Sequence, residues 1–198
     1  CMVAQSLIDS GSDCHVFQRH LARRFKWWLV AVPPGVGKAT ALGCLKIWLG
    51  FPLSRTGTHS AGNGPSMRSA ILGVVIDDLQ DLKCFVEAST RLTHSDVRAE
   101  RGAMVVALAA KASAEGKPVD AYLWLQQIKE RIPELDSEFI ELLERVSHSV
   151  KSGQSSVQFC QSMGWSRGVS GYTYHTVPAA IHCWLSNQDD IKLAIETA

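Results

Sequence analysis

The chain has 198 residues, 46 % of them hydrophobic, with a formal charge of +1. That is enough apolar material for a substantial core, which excludes disorder, and the near-zero charge with interleaved signs excludes a dedicated nucleic-acid binder. The six cysteines, at 1, 14, 44, 84, 160 and 183, form no Cys-x-x-Cys pair, so neither a zinc knuckle nor a redox pair is expected, and all six are expected as reduced thiols in or near the core.

Helical spacing of apolar residues dominates the chain, so the expected fold is all-α and the expected organisation a single domain over residues 1–198. Met2 to Ile8 reads as a helix already in progress behind Cys1, and the sequence is therefore expected to begin within a longer protein. Asp13 suits an N-cap for a helix through Phe17, Leu21, Phe25 and Trp28, whose Arg19, Arg23, Arg24 and Lys26 form a solvated face. The apolar run from Trp27 to Val32 is short and stops at Pro33 and Pro34, so no signal peptide or membrane span is expected, and a cytoplasmic location is.

Pro34 to Thr40 superficially resembles a phosphate-binding P-loop, but Val32 stands where the first glycine belongs and Ala39 where Ser or Thr belongs. Its glycines read as a turn before a helix over Val36 to Leu49, closed by Gly50 in a left-handed cap. A loop of small polar residues follows from Ser54 to Pro65, and a helix over Met67 to Ile76. Further helices are expected over Leu79 to Leu92, Val97 to Ala114, Val119 to Arg131 and Ser137 to Val150. A Ser/Gly-rich break at Ser152 to Ser156 precedes a glycine-rich loop from Gly164 and a helix over Tyr174 to Leu185. The pattern after Asp190 is amphipathic and stops without a cap, so truncation is expected at this end too, with apolar faces left exposed and a tendency to associate.

The loop from His59 to Arg68 carries the most specific chemistry. Gly62 and Gly64 permit backbone torsions that expose several amides at a helix N-terminus, a cradle suited to a diphosphate, and Asn63 can donate to and accept from ribose hydroxyls. The same residues suit a plain helix-capping turn. His94 and His175, both near helix starts, fit a cavity role or a local hydrogen bond, whereas His15, His20, His148 and His182 read as ordinary helical positions. The carboxylate pairs Asp77–Asp78 and Asp189–Asp190 read as caps.

Gly-Asn-Gly-Pro-Ser-Met-Arg at 62–68, Leu-Thr-His-Ser-Asp at 92–96 and Gly-Tyr-Thr-Tyr-His-Thr-Val-Pro-Ala-Ala at 171–180 together resemble the ADP-ribosylglycohydrolase family in order and spacing. The Trp-containing helix running into Pro34-Gly-Val-Gly37, and the Ala-rich helix after Asp96, extend the resemblance to most of the chain. It implies an orthogonal multi-helix bundle, hydrolysis of the bond between ADP-ribose and a protein side chain or other acceptor, and two magnesium or manganese ions. The family's Thr-Asp-Asp and Gly-Gly-Asp-x-Asp-Thr metal motifs do not occur in this chain. Hence no metal ligand, base or nucleophile is assigned, and the chain alone is expected to be inactive. By resemblance, Ser60, Gly62, Asn63 and Gly64 would hold the diphosphate and adjacent ribose with Met67 packed beneath. His94 would approach the pyrophosphate or proximal ribose, and Tyr172 and His175 would border the adenine or its ribose. The implied partner is an ADP-ribosylated protein or ADP-ribose conjugate. A non-catalytic relative that keeps the bundle without the metals is the alternative.

Overall fold

A computed structural model describes residues 1–197 as eleven α-helices, one short 3-10 turn at Leu53–Arg55 and no sheet among the described residues. The chain falls into two compact units, Cys1–Ala110 and Lys111–Ala198.

The first unit contains α1 (Met2–Ser10), α2 (Cys14–Val30), α3 (Lys38–Trp48), α4 (Ser66–Val75), α5 (Leu79–Arg91) and most of α6 (Val97–Ala114). Asp13 caps α2 by accepting from the Val16 amide, and Asp78 caps α5 by accepting from Gln80 and Asp81, as their sequence positions lead one to expect. The core is built from one stripe of each helix. Phe17, Leu21 and Phe25 of α2 meet the α5 stripe Leu82, Phe85 and Val86, with the Phe17 and Phe85 rings 5.0 Å apart. Gly50 takes φ 77 just past α3, the left-handed turn expected there. Pro34 to Gly37 is a turn following helix α2, so the strand that a P-loop requires is absent from this part of the chain.

The expectation of six free thiols needs correction, because Cys14 at the start of α2 and Cys84 on α5 form a disulfide, with Cα atoms 6.4 Å apart. Cys44 and Cys183 are buried thiols, Cys160 is half-buried and Cys1 is exposed. The pairing joins positions 70 residues apart, and local spacing carries no trace of it.

The second unit holds α7 (Ala121–Arg131), α8 (Ser137–Lys151), α9 (Ser156–Ser162), α10 (Thr173–Ser186) and α11 (Ile191–Glu196). Asp120, Asp136 and Asp190 cap three of them, which settles the role of Asp190. Helix α9, which the periodicity does not reveal, starts at a capping box. The Ser155 hydroxyl accepts from the Gln158 amide while the Gln158 side chain accepts from the Ser155 amide, a Ser-x-x-Gln signal embedded in the Ser/Gly-rich break. Phe139 of α8 stacks on Tyr174 of α10 with ring centroids 4.0 Å apart. His182 of α10, assigned an ordinary helical position from the sequence, is wholly buried against Phe159 between the hydroxyls of Ser149 and Ser156.

Candidate functional site

The exit of α5 sets the geometry. The amides of Thr93 and His94 both donate to the Thr90 carbonyl, which tightens the last turn and projects His94 away from the helix. Two further bonds pin this exit to the polar loop, Thr58 N–H to Thr93 O at 3.0 Å and Ser95 N–H to Thr58 O at 2.9 Å. From the other side α3 presses in through Gly43, where a Cβ would stand 2.7 Å from the Leu92 carbonyl and 2.8 Å from Thr93 Cα. Leu92, Thr93 and His94 are consequently buried, His94 to 3 % exposure.

The Ser60 to Gly64 loop lies across the His94 ring. A Cβ on Gly62 would meet His94 Nε2 at 3.0 Å, and one on Gly64 would meet His94 Cε1 and Thr40 Oγ1, each at 3.2 Å. Neither glycine has a positive φ, so their expected torsional role is corrected: both are glycine because the imidazole occupies the space of a side chain. Ser60 Oγ accepts from the Gly62 amide at 3.3 Å, and the Asn63 carbonyl accepts from the Met67 amide at 3.1 Å. Helix α4 begins after Pro65, which makes no side-chain cap hydrogen bond. Ser66 Oγ at the start of α4, and Thr58 Oγ1, are buried without a hydrogen-bond partner. Met67, expected beneath the loop, is instead 79 % exposed, because the α4 stripe facing the core runs through Ser66, Ser69, Leu72 and Gly73.

Arg68, in the first turn of α4, is the residue that motif reading quoted but gave no role. Its guanidinium donates from Nε to Ser89 Oγ at 3.0 Å, and from Nη2 to Ser89 O at 2.9 Å and Thr93 Oγ1 at 2.7 Å, with its face over Phe25. Burial pulls it down to about 10, so it remains a cation at neutral pH. Thr93 Oγ1 in turn lies 2.8 Å from His94 Nδ1. Burial, reinforced by the nearby Arg68 charge, lowers His94 to about 4, so its imidazole is neutral at pH 7. Asp96 is held low by the Arg98 guanidinium, which reaches both its oxygens, with exposed His59 3.9 Å away.

Tyr172 and His175 belong to the second unit, at the start of α10. Their rings meet edge to face at 5.0 Å, Trp165 approaches His175 at 4.7 Å, and Ser170 Oγ contacts His175 Nδ1 at 3.0 Å. The Tyr172 hydroxyl donates to Glu138 at 3.3 Å. The family resemblance named Tyr172 and His175 but not Trp165, which follows the Gly164 turn.

Among the described residues no three His, Cys, Asp or Glu side chains converge to hold a metal ion. The donor set of these residues therefore does not fit the two divalent ions that the resemblance implies. None of these helices is long and apolar enough to cross a membrane.

A family model for ADP-ribosylglycohydrolase matches residues 1–198. The chain is 32 % identical to ADP-ribosylhydrolase ARH3 of Gallus gallus over 82 residues, 41 % of this chain and 22 % of that protein. It is 31 % identical to ADP-ribosylhydrolase ARH3 of Bos taurus over 88 residues, 44 % of this chain and 24 % of that protein. The matched stretches span less than a quarter of the length of either relative.

Proposed function

Given that the chain belongs to the ADP-ribosylglycohydrolase family, we propose that Ser60, Gly62, Asn63, Gly64 and His94 bind the diphosphate and adjacent ribose of an ADP-ribose unit carried by a protein side chain or another acceptor. The observation that carries this reading is the approach of the two glycines to His94, which sets the polar loop against a buried imidazole. Backbone amides and a neutral imidazole N–H suit phosphate and ribose oxygens, and the fixed Arg68 cation nearby favours negative charge. Within the second unit, Trp165, Tyr172 and His175 present flat aromatic faces that suit a purine.

No metal ligand, base or nucleophile is assigned among these residues, and the proposal is one of binding. The absence of a converging ligand set among the described residues favours a second reading, a binding protein that recognises ADP-ribose without cleaving it. Calorimetric titration with ADP-ribose, with and without magnesium, tests both. Binding by the parent that Asn63→Ala weakens about tenfold, the loss of one good hydrogen bond to a charged group, would support the site. Equal affinity in parent and variant would reduce the loop to a structural turn. Release of ADP-ribose from a modified protein only when magnesium is added would favour the hydrolase over the binder.

A further inference from the structure

We infer that Arg68 and Thr93 are positioning residues that hold His94 in its Nε2–H tautomer and aim that donor at the Gly62–Gly64 loop, where it meets an oxygen of the substrate. Their role rests on the reading of the loop proposed above.

A threonine hydroxyl has one proton and two acceptor positions. Arg68 can only donate, so the 2.7 Å contact from Nη2 occupies an acceptor position of Thr93 Oγ1. Thr93 is fully buried, and its own proton must find an acceptor within the protein. Among the described residues the acceptor in reach is His94 Nδ1 at 2.8 Å. The opposite arrangement, with Nδ1–H donating to Thr93, would leave the hydroxyl proton without an acceptor in a dry setting, a costly defect. Nδ1 is therefore the acceptor and the single imidazole proton sits on Nε2.

That Nε2–H has no hydrogen-bond partner among the described residues. A Cβ on Gly62 would stand 3.0 Å from Nε2, so the loop backbone lies against this edge of the ring. An imidazole N–H beside a loop of backbone amides suits a phosphate or ribose oxygen held by that loop. The other tautomer would turn a lone pair toward that oxygen and repel it. Arg68 is a reliable origin for the relay because two bonds to Ser89 fix its orientation, and it meets no carboxylate among the described residues that could draw it away. Its Nη1 lies 3.7 Å from where a Cβ on Gly64 would be, which adds a positive field on the same side of the loop.

Nitrogen-15 NMR of the histidine-labelled chain at neutral pH reads the tautomer directly, without any substitution. The expected result is a protonated Nε2 and an unprotonated Nδ1 at His94. Thr93→Val keeps the shape and removes the hydroxyl, and it is expected to give mixed tautomers and about tenfold weaker ADP-ribose binding. Thr93→Ser is expected to restore both, which a merely space-filling Thr93 would not require. A parent with its proton on Nδ1, or a Thr93→Val chain that binds ADP-ribose as the parent does, overturns the relay. A parent that shows the Nε2–H tautomer yet binds no ADP-ribose instead overturns the substrate reading of the loop, and with it the purpose given to the relay.

Discussion

His94 couples the site to the stability of the fold. An unfolded chain holds this histidine near its ordinary value of 6.5, whereas burial and the Arg68 charge lower it to about 4 in the folded protein. Below pH 6.5 the unfolded state takes up the proton first, so stability that is fully present above that pH is lost as pH falls toward 4. The loss is at most about 3 kcal/mol, and less where solvent screens the ring. Burial shifts His182 in the same direction and adds to the same acid limb. Urea unfolding at pH 7.5 and pH 4.5 should show a smaller drop for His94→Gln than for the parent, and an identical drop would clear His94 of responsibility. Asp96 does not offset this trend, because a carboxylate held low by Arg98 also loses its contribution as pH falls.

Among the elements, the crossing of α3 with the end of α5 governs the site most tightly. Gly43 lets the helix backbone approach Leu92 and Thr93, and the atoms that a methyl group would strike at 2.7 and 2.8 Å are backbone, which cannot rotate aside. Gly43→Ala should therefore cost roughly 1–3 kcal/mol of unfolding free energy. It should also weaken ADP-ribose binding, because it displaces the segment that carries His94. A variant with wild-type stability would mean that α3 stands farther from Leu92 than the present geometry places it. A similar constraint sits at Gly73 of α4, whose missing Cβ leaves room for the Ala107 backbone of α6.

For the molecule as a whole, we propose that residues 1–198 fold as one cooperative domain. Helix α6 runs without interruption from Val97 to Ala114, through the division between the two compact units, and this supports the proposal. Calorimetry should give a single transition, and two resolved transitions would sink it. The Cys14–Cys84 disulfide closes a loop of about 70 residues, which corresponds to about 4 kcal/mol in chain-entropy accounting. Reductant should therefore lower Tm by roughly 10 °C. Thiol titration of the denatured, unreduced chain should find the four cysteines 1, 44, 160 and 183. Six reactive thiols, or a Tm indifferent to reductant, would contradict the pairing.

By itself the sequence determined the all-helical class and most helix bounds, because apolar spacing and Asp caps such as Asp13, Asp78 and Asp190 act within a few residues of where they stand. It also marked the Gly62–Gly64 loop, His94, and the Tyr172 and His175 pair through short motifs. Tertiary structure alone decided what those residues do. That Gly62 and Gly64 make room for an imidazole, that Met67 faces solvent, and that Cys14 finds Cys84 are facts about atoms brought together from distant positions. The relay from Arg68 through Thr93 to His94 joins residues 25 positions apart whose periodicity serves two different helices, and a hydrogen-bond direction exists only once their donors and acceptors share one buried space.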